Sequence, residues 1–416
     1  MRHGELGLAV PGSRWLAALW RAAAMAALLM LGTGMPQAAT LTVLNNNDSG
    51  AGSLRATVAA ASAGDTIVFG SVTGTITLTS GAIAISQNLT ITGPGAGTLT
   101  VSGNNASQVF NLTNVTGTIS GLTISGGNIV GFGGGIATSG GALTLTNVVV
   151  TGNTATNGGG GIINGSVMIL INTTVSGNSA SFGGGFNNLG PLTLTNSTVS
   201  GNAATAAIGA DGGGIYTDAT VSLIDSTVSG NTATNGGGIF VNGAATTVNN
   251  ATIANNGGSQ FFVNNINGAA ATLESTVIAN PAGGTNCGGP VLPTSNGFNL
   301  DSANSCAFAA PTDLINTNPL LGPLANNGGP TLTLALLAGS PAINKGANPL
   351  ALAFDQRGPG FARVSGGATD IGAFEVQAAQ SLPIPTPALN AGALLALAAL
   401  SALAGMAALR HRRDHS

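Results

Sequence analysis

The phrase "LTNSTVSGN" (194–202) returns 29 residues later as "LIDSTVSGN" (223–231), and near copies run along most of the chain. The Asn that closes each copy falls at Asn104, Asn128, Asn153, Asn178, Asn202, Asn231, Asn256 and Asn280, in steps of 24, 25, 25, 24, 29, 25 and 24. A second marker keeps the same beat: a run of glycines ending in an apolar residue at Ile136, Ile162, Phe186, Ile215 and Ile239. Self-similarity at such a period marks a solenoid. Each unit reads as a Gly-rich turn, a short apolar-led strand, an "LTLTN" strand, an "STVSGN" strand and a polar turn. Alternation at Leu143/Leu145, Leu192/Leu194 and Val221/Leu223 turns an apolar row inward and a Thr/Ser row outward. The return "NTATNGGG" (153–160) is rich in residues that disfavour helix, which separates the pattern from leucine-rich repeats. The predicted fold class is therefore all-β, a right-handed parallel β-helix whose coils stack about 4.8 Å apart.

Stacking in register also explains the composition. A charge at a repeated position faces a like charge one strand away, whereas Asn, Thr and Ser bond to their equivalents above and below. Only 6% of the 416 residues are charged, against about 25% in an ordinary domain. No Asp, Glu, Lys, Arg or His lies between Asp65 and Asp211, and no basic residue between Arg55 and Lys345. Nucleic acid is thereby excluded as a partner, since phosphate binding needs clustered Lys and Arg. The 44% hydrophobic content excludes a disordered chain. Six residues before the closing asparagines stand Asn147, Asn172, Asn196, Asp225, Asn250 and Glu274. They read as one more ladder with Asp225 and Glu274 as replacements, the other reading being a cation or sugar contact.

The ends carry targeting signals. Arg14 and Arg21 precede the apolar "AAAMAALLMLGTG" (22–34) and small residues at Ala38 and Ala39, so 1–39 reads as a signal peptide. At the other end "ALNAGALLALAALSALAGMAAL" (388–409) is uncharged and, at 1.5 Å per residue, long enough to cross a bilayer as a helix. The "RHRRDHS" after it holds the last residues on the cytoplasmic side, so the 388–416 segment makes the membrane an expected partner. Between these ends the expected order is an N-terminal cap with the first coils (40–92), β-helix repeats (93–285), a C-terminal cap (286–378) and a Pro-rich linker (379–387). In the N-terminal cap, Ser53 reads as the N-cap of a short helix with Leu54, Val58 and Ala61 on one face. The expected location is the cell envelope, at the cell surface or outer membrane, or outside the cell after C-terminal processing.

The openings "LTVLNNNDSGAGSLRATVAAASAGDTIVF" (41–69) and "LTITGPGAGTLTVSGNNASQVF" (89–110), with the "GGGI" and "STVSGN" coils, resemble exported bacterial right-handed β-helix proteins. Those belong to the pectin-lyase-like superfamily and are similar to polymorphic outer-membrane proteins. The tail "NPLLGPLANNGGPTLTLALLAGSPAINKG" (318–346) followed by "DQRGPGFARVSGGATDIGAFE" (355–375) resembles the choice-of-anchor Q domain. The C-terminus is similar to IPTL-type sorting signals, which implies a sorting or processing protease as a partner.

Cys287 and Cys306 both lie in the exported part, where a disulfide is the default; it closes a loop of about 20 residues and stabilises by about 3 kcal/mol. No His lies between residues 4 and 410 to complete a zinc site, so neither metal nor cofactor is expected. Asp355, Arg357, Arg363, Asp370 and Glu375, with Lys345 nearby, read as ion pairs locking the C-terminal cap, with catalysis as the other reading. Lyases of the resembled superfamily generally use Arg or Lys as the base, and the coils carry neither; hydrolases use paired carboxylates. Asp211 and Asp218 flank "GGGIYT" beside the insertion "AAIGA" (206–210) and are the candidate catalytic pair. The favoured function is a non-catalytic adhesin or structural component of the envelope that contacts surface glycans or neighbouring cells, with a polysaccharide hydrolase as the alternative. Candidate ligand contacts are the outward row Thr174, Thr198, Thr227, Thr252 and Thr276 and the loop 203–211. A threonine face also suits ice, but Ile169 and Ile171 interrupt the "LTLT" row.

Overall fold

The computed structural model describes residues 37–378 except Asn265 and Pro281. Most of the signal-peptide stretch, the Pro-rich linker and the 388–416 segment lie outside the described residues. Among the described residues, no helix is long and apolar enough to cross a membrane.

Alternating sequence becomes a parallel β-solenoid. Each coil contributes to a wide sheet and then, past a sharp corner, to a narrow sheet that is 11 strands deep, from Gly74–Thr77 down to Leu314–Ile315. The wide sheet holds two strips side by side. In the middle coils single strands such as Ile136–Thr146 and Ile162–Ile171 run through both; elsewhere the strips separate, as in Ile215–Thr217 and Val221–Ile224. All these pairings are parallel and in register, apart from a shift between Ser139 and Ala142. The inward rows of the two sheets form one continuous apolar core running from Val43 to Phe308. At the top, the helix Leu54–Ala60 is capped by Ser53, whose hydroxyl accepts from Ala56 N, and Leu54 and Val58 point into the first coil.

The corner between the sheets is a single residue in the left-handed region: Asn147, Asn172, Asn196, Asp225 and Asn250, with φ between 43° and 53°. Asn and Asp adopt this conformation more readily than other residues with a Cβ. In the next coil the corner passes to Ser275 (φ 51°), and Glu274 pairs with Asn249 on the outer face of the wide sheet. Glu274 is therefore not a member of this ladder, because that coil is offset by one residue.

The asparagines closing the phrase form a buried column. Asn153, Asn178, Asn202, Asn231 and Asn256 are at most 1% exposed. Each of the first four donates from Nδ2 to the Oδ1 of the next at 2.8–3.0 Å. Their backbone N–H groups donate to the same oxygens, and each Nδ2 also reaches a carbonyl of the coil above, such as Val175 O for Asn202. Gly127 N donates to Asn153 at the top, and Gln260 Oε1 accepts from Asn256 at the bottom. Three residues of the sequence series fall outside: Asn128 pairs with Thr154, one place beyond the column, Asn104 is exposed, and Asn280 takes a left-handed turn (φ 55°) one place before it. These coils carry one residue more or fewer at the turn, which a count of sequence steps absorbs silently.

The C-terminal segment does not simply plug the end of the rod. The coils continue through Cys287–Gly288, Thr294–Ser295, Leu300–Asp301 and Leu314–Ile315, and Cys287 and Cys306 form a disulfide buried beside Phe308. From the antiparallel pair Leu321–Ala325 and Thr333–Leu336 onward, the chain folds back as a lid on the outer face of the narrow sheet. Ala254, Val277, Ala279 and Leu300 of that face, with Leu334, Leu336, Ala342 and Ile371 of the lid, build a second apolar core.

Replacing Asn202 by Ala removes the acceptor for two buried N–H donors of Asn178 and the donor to Val175 O. At about 1–3 kcal/mol per unmet buried group, the expected loss is at least about 3 kcal/mol. Chemical denaturation checks this against Thr193→Ala on the outer face, which should change stability by under about 0.5 kcal/mol.

Candidate binding face

The outward threonine row proposed as a contact surface is largely roofed. Thr198, Thr227 and Thr252 are at most 2% exposed. Thr198 Oγ1 donates to Leu332 O, Thr227 Oγ1 donates to Gln356 Oε1, and Thr252 Oγ1 accepts from Ala373 N. Thr276 belongs to another, inner column, since Val277 is the register partner of Thr252. Only Thr174 of the five keeps partial exposure. The outward reading holds for Thr174, Thr198, Thr227 and Thr252 with respect to the coil and fails for Thr276; what the sequence conceals is that a later segment covers Thr198, Thr227 and Thr252.

The charge cluster supplies the lid's fastening. Arg363, fully buried, donates from Nη1 to Asp225 Oδ1 at 3.1 Å and from Nη2 to the carbonyls of Asp370 and Gly372. Asp225 is thus an anchor for the lid. Arg357 lies between the rings of Phe361 and Phe374, at 3.9 and 3.8 Å, and pairs with Asp355 at 2.6 Å. Glu375 accepts from Ser365 N and Asp370 N. Lys345 is exposed and stands outside this network. Burial pushes the Glu375 carboxyl up to about 7, with the charge of Asp370 adding to the effect against backbone N–H donors. Burial likewise raises Asp225, against the pull of Arg363, and Asp370.

On the first strip of the wide sheet a different surface emerges. Tyr216, Phe240 and Phe262 occupy successive levels of one outward column. Their rings stack at centroid distances of 5.4 and 5.0 Å with interplanar angles of 9°. Above Tyr216 the stack opens: Phe182 tilts by 60° at 5.1 Å, and Phe132, 42% exposed, meets Phe182 edge-on at 6.2 Å. Rings stacked face to face hide their faces from solvent, whereas the tilted rings at this upper end leave π surface open. Beneath it Asn187, the register neighbour of Tyr216 in the coil above, is 2% exposed, and its Oδ1 has no hydrogen-bond partner.

Asp211 and Asp218 sit on either side of Tyr216 in sequence, each in its own ladder. Asp211 Oδ1 accepts from Asn235 Nδ2 at 2.8 Å, and Asp218 Oδ1 accepts from Asn242 Nδ2 at 2.7 Å. The Tyr216 hydroxyl is pushed up to about 12 by burial and then by the charges of Asp218 and Asp211, so it stays a donor. Asp211 directly follows the insertion 206–210, whose Ile208 is 94% exposed. Two depressions elsewhere, of about 260 Å³ beside the N-terminal helix and about 270 Å³ near Thr90 and Thr118, have no ionisable lining residue. Among the described residues no three His, Cys, Asp or Glu side chains gather as metal ligands. The aromatic column was legible in principle: Tyr216, Phe240 and Phe262 each follow the apolar residue that opens the strand, and Phe132 and Phe182 each precede a glycine run.

No family model matches this chain, and no curated protein matches it. Among solved structures it is similar to the pectate lyase Pel9A, with a TM-score of 0.51 and 18% identity over 82% of this chain and 97% of that one. At that identity the likeness establishes the fold alone, a parallel β-helix.

The raised carboxyls set a pH dependence for the lid. Between the ordinary Glu value near 4.3 and about 7, the folded lid keeps a proton that the unfolded chain loses, so stability falls as pH rises through that window. Protease resistance of 331–376 should be greater at about pH 5 than at about pH 8, and Glu375→Gln should flatten the difference.

Proposed function

We propose that this chain is a non-catalytic rod of the cell envelope that holds glycan at the open end of its aromatic ladder. Export by the 1–39 signal, anchoring through 388–416 and handling by a sorting protease form part of the same reading. What supports it is one juxtaposition: the open rings of Phe132 and Phe182 and the donor hydroxyl of Tyr216 share one face. Sugars are held in this way, with an apolar ring face under the C–H groups and a few fixed polar groups for the hydroxyls. Asp211 and Asp218, with no basic residue in the coils, favour neutral or amino sugars over polyuronates. The alternative, a polysaccharide hydrolase, needs one carboxyl as acid and a second as base or nucleophile across the scissile bond. Here each carboxylate is tied to the asparagine of the following coil.

Affinity electrophoresis and reducing-end assays on a glycan panel test this reading. Retention without cleavage is expected, and Tyr216→Ala should weaken binding about tenfold, a loss of about 1.4 kcal/mol. New reducing ends that vanish in Asp211→Asn would establish the hydrolase instead.

A further inference from the structure

The second strip of the wide sheet presents a long face that the lid leaves uncovered. Its outward column runs from Thr40 to Thr294 and carries threonine at nine of eleven levels, with Ile169 and Ser222 at the other two. Two residues further along each strand, a companion column runs from Thr42 to Glu274. Eight of its ten levels hold Thr, Ser, Val or Ile. Read over the whole rod, the interruption at Ile169 and Ile171 is one level among many, and both residues keep a β-branched methyl at the lattice point. The hydroxyl and methyl groups therefore repeat at about 4.8 Å along the rod and about 6.7 Å across it.

The chemistry of this face narrows its occupant. Glu274 is the one ionisable residue in the two columns, which removes nucleic acid and anionic membranes. Neither column contains Trp, Tyr, Phe or Arg, the anchors of protein interfaces and of sugar stacking. The narrow sheet supplies an internal comparison. There a similar threonine column is roofed, and Thr198, Thr227 and Thr252 each bond the lid. Among the described residues no such roof covers the wide-sheet columns: Ile169, Thr247 and Thr294 are exposed, and Thr144 and Thr193 partly so. What remains is an uncharged ligand that is itself periodic in two directions. We propose that this face binds ice, its hydroxyls and methyls ordering water at lattice spacing.

The test measures inhibition of ice recrystallisation by the purified full chain, and its uptake into a growing ice front. The wild-type chain should inhibit at micromolar concentration. Thr144→Lys combined with Thr193→Lys should raise the required concentration at least tenfold, whereas Thr75→Lys on the exposed narrow sheet should leave it within twofold. Melting curves establish that each variant is folded. If the lysine pair fails to fold, Thr144→Ser with Thr193→Ser, which removes only methyls, should still raise the concentration severalfold. A folded wild-type chain without effect on ice overturns the proposal, as does equal loss in Thr75→Lys. Glycan binding is measured separately, so either outcome leaves the aromatic face to its own test.

Discussion

Every coil of this rod must place its polar groups where the next coil can answer them. Within the stack there is no water to accept a stray N–H, and a buried donor left unmet costs about 1–3 kcal/mol. The asparagine column meets the requirement: each amide gives its protons downward and upward and takes two on its oxygen. Other polar positions inside the coils follow the same rule. Asn164 donates to Asn188, which donates to Thr217, and Ser197 bonds between Thr173 and Ser226. The scarcity of charge, the abundance of Asn and Thr, and the regularity of the repeat are three expressions of this one demand.

The solenoid was legible because its constraint is local in sequence and repeated. A period near 25 and alternation within strands were visible in the spacing of "STVSGN", and the Asn series at 147, 172, 196 and 250 was visible as a ladder though not as the left-handed corner it forms. Two features were not. Single-residue slips at Asn128 and Ser275 leave the period almost unchanged yet move a side chain from one column to the next. The roofing of Thr198, Thr227 and Thr252 depends on contacts spanning up to 134 residues, which no periodicity encodes. Asp225 illustrates the same limit: as a corner residue it resembled its asparagine equivalents, and its partner Arg363 lies 138 residues away.

The two candidate faces share a scaffold and differ in chemistry. The first strip gathers aromatic rings, the Tyr216 hydroxyl and two flanking carboxylates within a few neighbouring coils, a local arrangement suited to a discrete ligand. The second strip spreads the same small groups evenly over ten steps, an arrangement with no preferred point. Parallel stacking permits both because outward positions are free of the core's demands, while register carries any outward choice up and down the rod.

Direction is the remaining property of the asparagine chain. All of its amide bonds point the same way, opened at one end by a glycine N–H and closed at the other by a glutamine. A unit cut out between those terminators brings one giver and one taker with it, so whole coils are interchangeable parts. The length of such a rod can therefore change by duplication or deletion of about 25 residues without reworking its ends, whereas a fraction of a coil breaks the chain of polarity at once.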